Sequence, residues 1–206
     1  MQKDSLCYTK FRGEPVKKLV ISGYRATELG IFDSKHPGIA IIKTALKDRL
    51  LRYYEEGLEW VLISGQQGVE IWGAEVVVEL KKEGIPLKLS ITPPFSEFTS
   101  RLKPDKQAEF QQLVLEADFY QALTTGGYQG PWQFQERDKF LLRNTDSALV
   151  VYDDEQPASP KFFMELIGRY QETQPTFVVE QITSFDLNDT AEQMRWKEGD
   201  DHDYTL

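Results

Sequence analysis

The chain has 206 residues, 40 % of them hydrophobic and 28 % charged, with a formal charge of −9. That is the size of one domain with enough apolar material for a two-sided core, and it excludes general disorder. No apolar run approaches the ~20 residues of a membrane-spanning helix, and an acidic chain is poorly suited to binding nucleic-acid phosphates non-specifically.

The single cysteine, Cys7, cannot form an internal disulfide, and no apolar stretch resembling a secretion signal opens the sequence. Both features lead us to expect a cytoplasmic protein. His36 and His202 are the only histidines, so neither a zinc site nor a Ser/His/Asp catalytic set is expected.

In chain order, residues 1–17 read as a flexible lead-in without clear period. Leu19 to Gly23 is a short apolar run ending in glycine, the pattern of a buried strand. A loop spans Tyr24 to Lys35. Pro37 suits a helix start, and Ile39, Ile42, Leu46, Leu50 and Tyr53 recur at helical spacing up to Gly57. Trp60 to Gly65 is a second strand. Val69, Trp72, Val76 and Leu80 mark a helix ending at Gly84. Leu87 to Ile91 is a third strand, closed by Pro93-Pro94, and Pro104 to Ala117 is helical.

Ala117 to Thr124 reads as a weaker fourth strand, Pro131 to Asn144 as a helix, and Ala148 to Tyr152 as a fifth strand. Ser159-Pro160 starts another helix carrying Phe163, Leu166, Ile167 and Tyr170. Thr176 to Val179 is a sixth strand, and residues 197–206 form an acidic tail. Unbroken alternation over 18–196 predicts one α/β domain with a Rossmann-like, mostly parallel sheet and helices on both faces.

Ligands of such sheets bind beyond the carboxyl ends of the strands, which directs attention to three segments. After the first strand, Gly23 permits close approach of a ligand, Arg25 could pair with a phosphate, Tyr24 could stack on a base, and Glu28 lies in the same long loop. The alternative is an ordinary loop with a surface arginine. After the second strand, Gly65, Gln66 and Gly68 leave backbone N–H groups able to cradle an anion at a helix start. Glu70 could accept from ribose hydroxyls or only complement the helix dipole. Trp72 lies on the apolar face, where core packing is the favoured role and a pocket wall the other. In the third segment, Arg137 and Asp138 stand beside Phe134 and Leu141, either as a salt bridge between helices, which is favoured, or as a ligand contact. Asp153 and Asp154 follow the fifth strand and suit a turn, a metal or a ribose.

Residues 22–32 (Ser-Gly-Tyr-Arg-Ala-Thr-Glu-Leu-Gly-Ile-Phe), residues 57–72 through Ser64-Gly65-Gln66-Gln67-Gly68-Val69-Glu70-Ile71-Trp72, and the segment from Asp153 to Lys161 together resemble the YpsA proteins of Gram-positive bacteria. The resemblance spans about Lys18 to Trp196. It implies membership of the superfamily that includes DprA and the LOG proteins, a Rossmann-like fold, and a nucleotide-type ligand such as ADP-ribose or NAD. It also implies a link to cell division and interest in Gly68, Glu70 and Trp72. Ala26-Thr27 stands where that loop usually has Pro-Phe. Gly126-Gly127-Tyr128-Gln129-Gly130 resembles the LOG glycine motif but lacks its proline and its Gly-Thr-x-x-Glu continuation. The expected function is therefore a nucleotide-derivative binding or sensor protein. A LOG-like nucleotide N-glycosidase and a DprA-like single-strand DNA binder are the rivals. No metal is expected, and no protein partner is identified.

Overall fold

The computed structural model describes residues 16–201. Six strands form one parallel sheet in the order β4-β3-β2-β1-β5-β6: β1 (Lys18–Gly23), β2 (Trp60–Ile63), β3 (Lys88–Ile91), β4 (Phe119–Tyr120), β5 (Ser147–Val151) and β6 (Val178–Ile182). The connecting helices are α1 (Pro37–Glu55), α2 (Val69–Lys82), α3 (Pro104–Glu116), α4 (Trp132–Arg143) and α5 (Pro160–Thr173), and α6 (Ser184–Asp201) follows β6. The expected Rossmann-like α/β architecture is what the chain adopts.

The order explains the layering. From β1 to β4 the chain steps one way along the sheet, so right-handed crossovers put α1, α2 and α3 on one face. It then returns past β1 to β5 and β6, which places α4 and α5 on the other face. Accordingly α1 packs against α2 and α6, α2 against α3, and α4 against α5. β1 and β5 lie inside the sheet with both faces covered. Leu19, Val20, Ile21, Ala148, Leu149 and Val150 are fully buried, which is why these strands read as continuous apolar runs.

Acidic side chains pin strand starts. Asp146 Oδ2 accepts from the amides of Lys17 and Lys18 at 2.9 and 2.8 Å. Asp118 Oδ2 accepts from Leu89 N at 2.8 Å and from Lys81 Nζ at 2.9 Å.

Several boundaries differ from the sequence reading. β4 has only two residues, both exposed at the sheet edge; the chain beyond it turns off, with Leu123 N donating to Pro93 O. β6 is displaced two residues downstream of the expected start. The loop after β1 contains a 3₁₀ turn over Ala26–Leu29. Most of the lead-in, residues 1–15, and the end of the acidic tail, residues 202–206, lie outside the described residues, while α6 runs to Asp201.

Candidate functional site

β1 and β5 are neighbours whose onward connections leave in opposite directions, so a crevice opens beyond their carboxyl ends. The loops after β1 and β2 reach this edge together. Arg25 and Gly68 form an antiparallel bridge, Val69 N donates to Tyr24 O at 3.1 Å, and Ala26 N donates to Gln67 O at 3.3 Å. Gly68 has φ +117°, and a Cβ there would lie 2.6 Å from both Tyr24 O and Ala26 N. The space beside Gly68 is thus filled by the protein's own backbone. Glycine is required there for loop-on-loop contact before any ligand is considered.

The β2–α2 loop holds an anion, and the anion is internal. Glu70 is only 5 % exposed. Its Oε2 accepts from Ser64 N (2.9 Å), Ser64 Oγ (2.6 Å), Gly65 N (3.0 Å) and Gln66 N (3.1 Å). The amides of Gly65 and Gln66 that the sequence offered to a phosphate are therefore committed to this carboxylate. That expectation is revised: the nest is real, and Glu70 fills it.

Ser64 Oγ also accepts from Arg137 Nη1 at 3.0 Å. Arg137 pairs with Asp138 through Nε (2.8 Å) and Nη2 (2.6 Å), both to Oδ1, and lies 5.4 Å from the centroid of the Phe134 ring. Burial pushes the Asp138 carboxyl up, the Arg137 guanidinium pulls it back, and the Glu70 charge adds to the rise; the balance is upward. The favoured sequence reading had Arg137 and Asp138 bridging neighbouring helices. Instead they pair with each other within α4, and Arg137 reaches across to the β2 loop.

The crevice widens into a cleft of about 1040 Å³ between α4 and α5. Gly23, Arg25, Gln66 and Glu70 line it from the sheet edge, Phe134, Arg137 and Asp138 from α4, Ser159 from just before α5, and Phe162 and Arg169 from α5. Arg25 is exposed and makes no ion pair among the described residues.

Other candidates serve the fold. Tyr24 is buried. Its hydroxyl donates to Gln156 O at 2.7 Å and accepts from Asp153 N at 3.0 Å, and its ring packs on Tyr152, so it is not placed to stack on a base. Glu28 accepts from Arg25 N (2.8 Å) and from Ser159 N and Oγ (3.1 and 2.9 Å), tying the β1 loop to the start of α5. Trp72 is buried in the core, facing a separate small hollow with Gly68 and Ile71. Asp153 is engaged by Ser184 and by Glu155 N. Among the described residues no group of three or more His, Cys, Asp or Glu could hold a metal.

Phe162 and Arg169 were not singled out by the sequence; the structure leaves Phe162 62 % exposed beside the buried Phe163, and two adjacent phenylalanines on one helix cannot both face the core. The cleft itself depends on α4 meeting α5, for which one sequence carries no local signal.

A Rossmann-like sheet with an open cleft at the reversal of its strand order defines the class: an α/β protein of the doubly wound type. Within that class, residues 19–187 match the family YpsA, described as the YspA SLOG family. Similar proteins include a UPF0398 protein of Brevibacillus brevis, 46 % identical over 87 % of this chain and 95 % of that protein. Another, from Lysinibacillus sphaericus, is 45 % identical over 85 % of this chain and 98 % of its own length. A third, from Staphylococcus haemolyticus, is 39 % identical over 89 % and 97 %. The chain belongs to the YpsA family.

Proposed function

We propose that the protein binds a nucleotide derivative of the ADP-ribose or NAD type in the cleft between α4 and α5, acting as a cytoplasmic binding or sensor protein. The observation that carries this reading is the position of the cleft. It opens at the reversal of strand order on the carboxyl edge of the sheet, bounded by Gly23, by an Arg25 without an ion pair among the described residues and by the apolar faces of Phe134 and Phe162. Its volume suits a ligand of dinucleotide size. Arg25 supplies charge for a phosphate and the phenylalanines a surface for a base. A link to cell division enters on the resemblance alone.

Titration calorimetry with ADP-ribose, NAD and AMP tests the binding. Absence of heat with all three at millimolar ligand overturns it. Chromatography of the same mixtures tests the rival N-glycosidase, which is favoured by the presence of two carboxyl groups, Glu70 and Asp138, on one cleft; release of free base would establish that reaction. Among the described residues no helix is long and apolar enough to cross a membrane.

A further inference from the structure

The polar groups lining the inner cleft are unequally engaged. Arg137 directs Nε and Nη2 to Asp138 and Nη1 to Ser64, so its charge is spent inside the protein. Glu70, nine-tenths buried or more, has Oε2 saturated by four donors, while its Oε1 takes no hydrogen bond among the described residues. Asp138 repeats the pattern. Its side chain is 20 % exposed, Oδ1 receives both bonds from Arg137, and Oδ2 takes none among the described residues. Both carboxyl groups line the same cleft. These two oxygens are acceptors without a donor among the described residues, and the cations Arg25, Lys139 and Arg169 also belong to the lining of the cleft.

We infer that Asp138 Oδ2 and Glu70 Oε1 together bind a vicinal diol of the ligand, the two hydroxyls of a ribose, with its phosphate directed away toward Arg25. The inference rests on the cleft being a nucleotide-derivative site, and it fixes the ligand's polarity within it. An ionised carboxylate oxygen only accepts, so a ligand that meets it directly must bring donors. A phosphate brings only acceptors and negative charge, so it is excluded from this part of the cleft, while a cis-diol brings two O–H donors. Burial, with the nearby Glu70 charge, pushes the Asp138 carboxyl up against the pull of Arg137. Asp138 is the recognition residue in this assignment, and Arg137 is the positioning residue that presents it.

Calorimetry with AMP and 2′,3′-dideoxy-AMP tests the assignment. The parent protein should bind AMP about tenfold or more tightly than the dideoxy compound, as expected for hydrogen bonds to charged groups. Asp138→Asn, which replaces an accepting oxygen by a donating amide in one of its two orientations, should bring the two affinities to within about threefold of each other. Arg25→Ala should weaken both compounds while keeping their ratio. Equal binding of the two compounds by the parent, or an unchanged ratio in Asp138→Asn, overturns the diol assignment and leaves nucleotide binding standing. Absence of binding by AMP, ADP-ribose and NAD alike overturns both. The comparison of compounds on the parent needs no variant, so a poorly folding substitution does not block the decision.

Discussion

Arg137 reaches Glu70 through one hydroxyl: Ser64 Oγ accepts from Arg137 Nη1 at 3.0 Å and donates to Glu70 Oε2 at 2.6 Å. This relay joins the end of β2, the first turn of α2 and the middle of α4. A carboxylate receiving a hydroxyl and three amides in a nearly dry setting is bound far more firmly than a surface side chain at a helix start.

Replacing Glu70 by Gln should therefore cost stability. Loss of the charge beneath four donors is expected to lower the unfolding free energy by about 1.5–3 kcal/mol, against about 0.3–1 kcal/mol for a simple dipole interaction. Urea unfolding of the parent and Glu70→Gln separates the two, and a loss within the smaller range would show that the nest does not depend on the carboxylate.

Gly68 and Gly30 make a matched pair. Both have positive φ, +117° and +67°, but a Cβ at Gly30 meets nothing within 4 Å while one at Gly68 meets backbone atoms at 2.6 Å. Gly30→Ala should cost about 1 kcal/mol for the left-handed backbone alone. Gly68→Ala must in addition push the Tyr24–Ala26 segment aside, so its cost should exceed that by on the order of 2 kcal/mol. Thermal melts of the two variants giving equal losses would refute the close-packing explanation.

Arg25 is the opposite case. It is exposed and unpaired among the described residues, so Arg25→Ala should leave the melting temperature unchanged. If Arg25 meets a phosphate, binding of ADP-ribose should weaken by about 1.5–3 kcal/mol. Parallel melts and calorimetry check both halves, and a fall in melting temperature with intact binding would assign Arg25 to the fold.

Asp118 makes one contribution to stability dependent on pH. Partial burial pushes its carboxyl up, but the Lys81 ammonium and the Leu89 amide outweigh this and hold it below the usual aspartate value. A depressed carboxyl contributes stability above its unfolded pKa of about 3.9 and loses it as pH falls through the folded value. Asp118→Asn should therefore melt lower than the parent at neutral pH, and the gap should close in acid. Melting curves from neutral pH to about pH 3 follow this; a gap that stays constant would assign the loss to packing instead of ionisation.

The sheet was legible where burial on both faces leaves an unbroken apolar signature, as in Leu19–Ile21 and Ala148–Val150. It was less so at β4, whose Phe119 and Tyr120 are exposed at the edge and pair only with β3. α6 went unread although its start carries a capping signal: Asp186 Oδ2 accepts from Thr183 N at 2.9 Å and from Thr183 Oγ1 at 2.7 Å. At the site, the glycine-bearing loop and the family resemblance direct attention to Gly68 and Glu70, but their partners could not be read. Tyr24 O against Gly68, and Arg137 against Ser64, are contacts between segments far apart in the chain, created only when α2 and α4 settle on the sheet.

The position of β1 carries a consequence for synthesis. It is translated before every other strand of the sheet, yet it ends up flanked on both sides, by β2 and by β5, and Asp146, which caps its first amides, is 128 residues downstream of Lys18. While β5 is still within the ribosome, a nascent β1–β4 sheet has the apolar β1 as an open edge, and an open apolar edge is a template for pairing with another chain. The nascent protein is thus most exposed to aggregation just before β5 emerges, and fragments truncated between α3 and β5 inherit that exposure permanently.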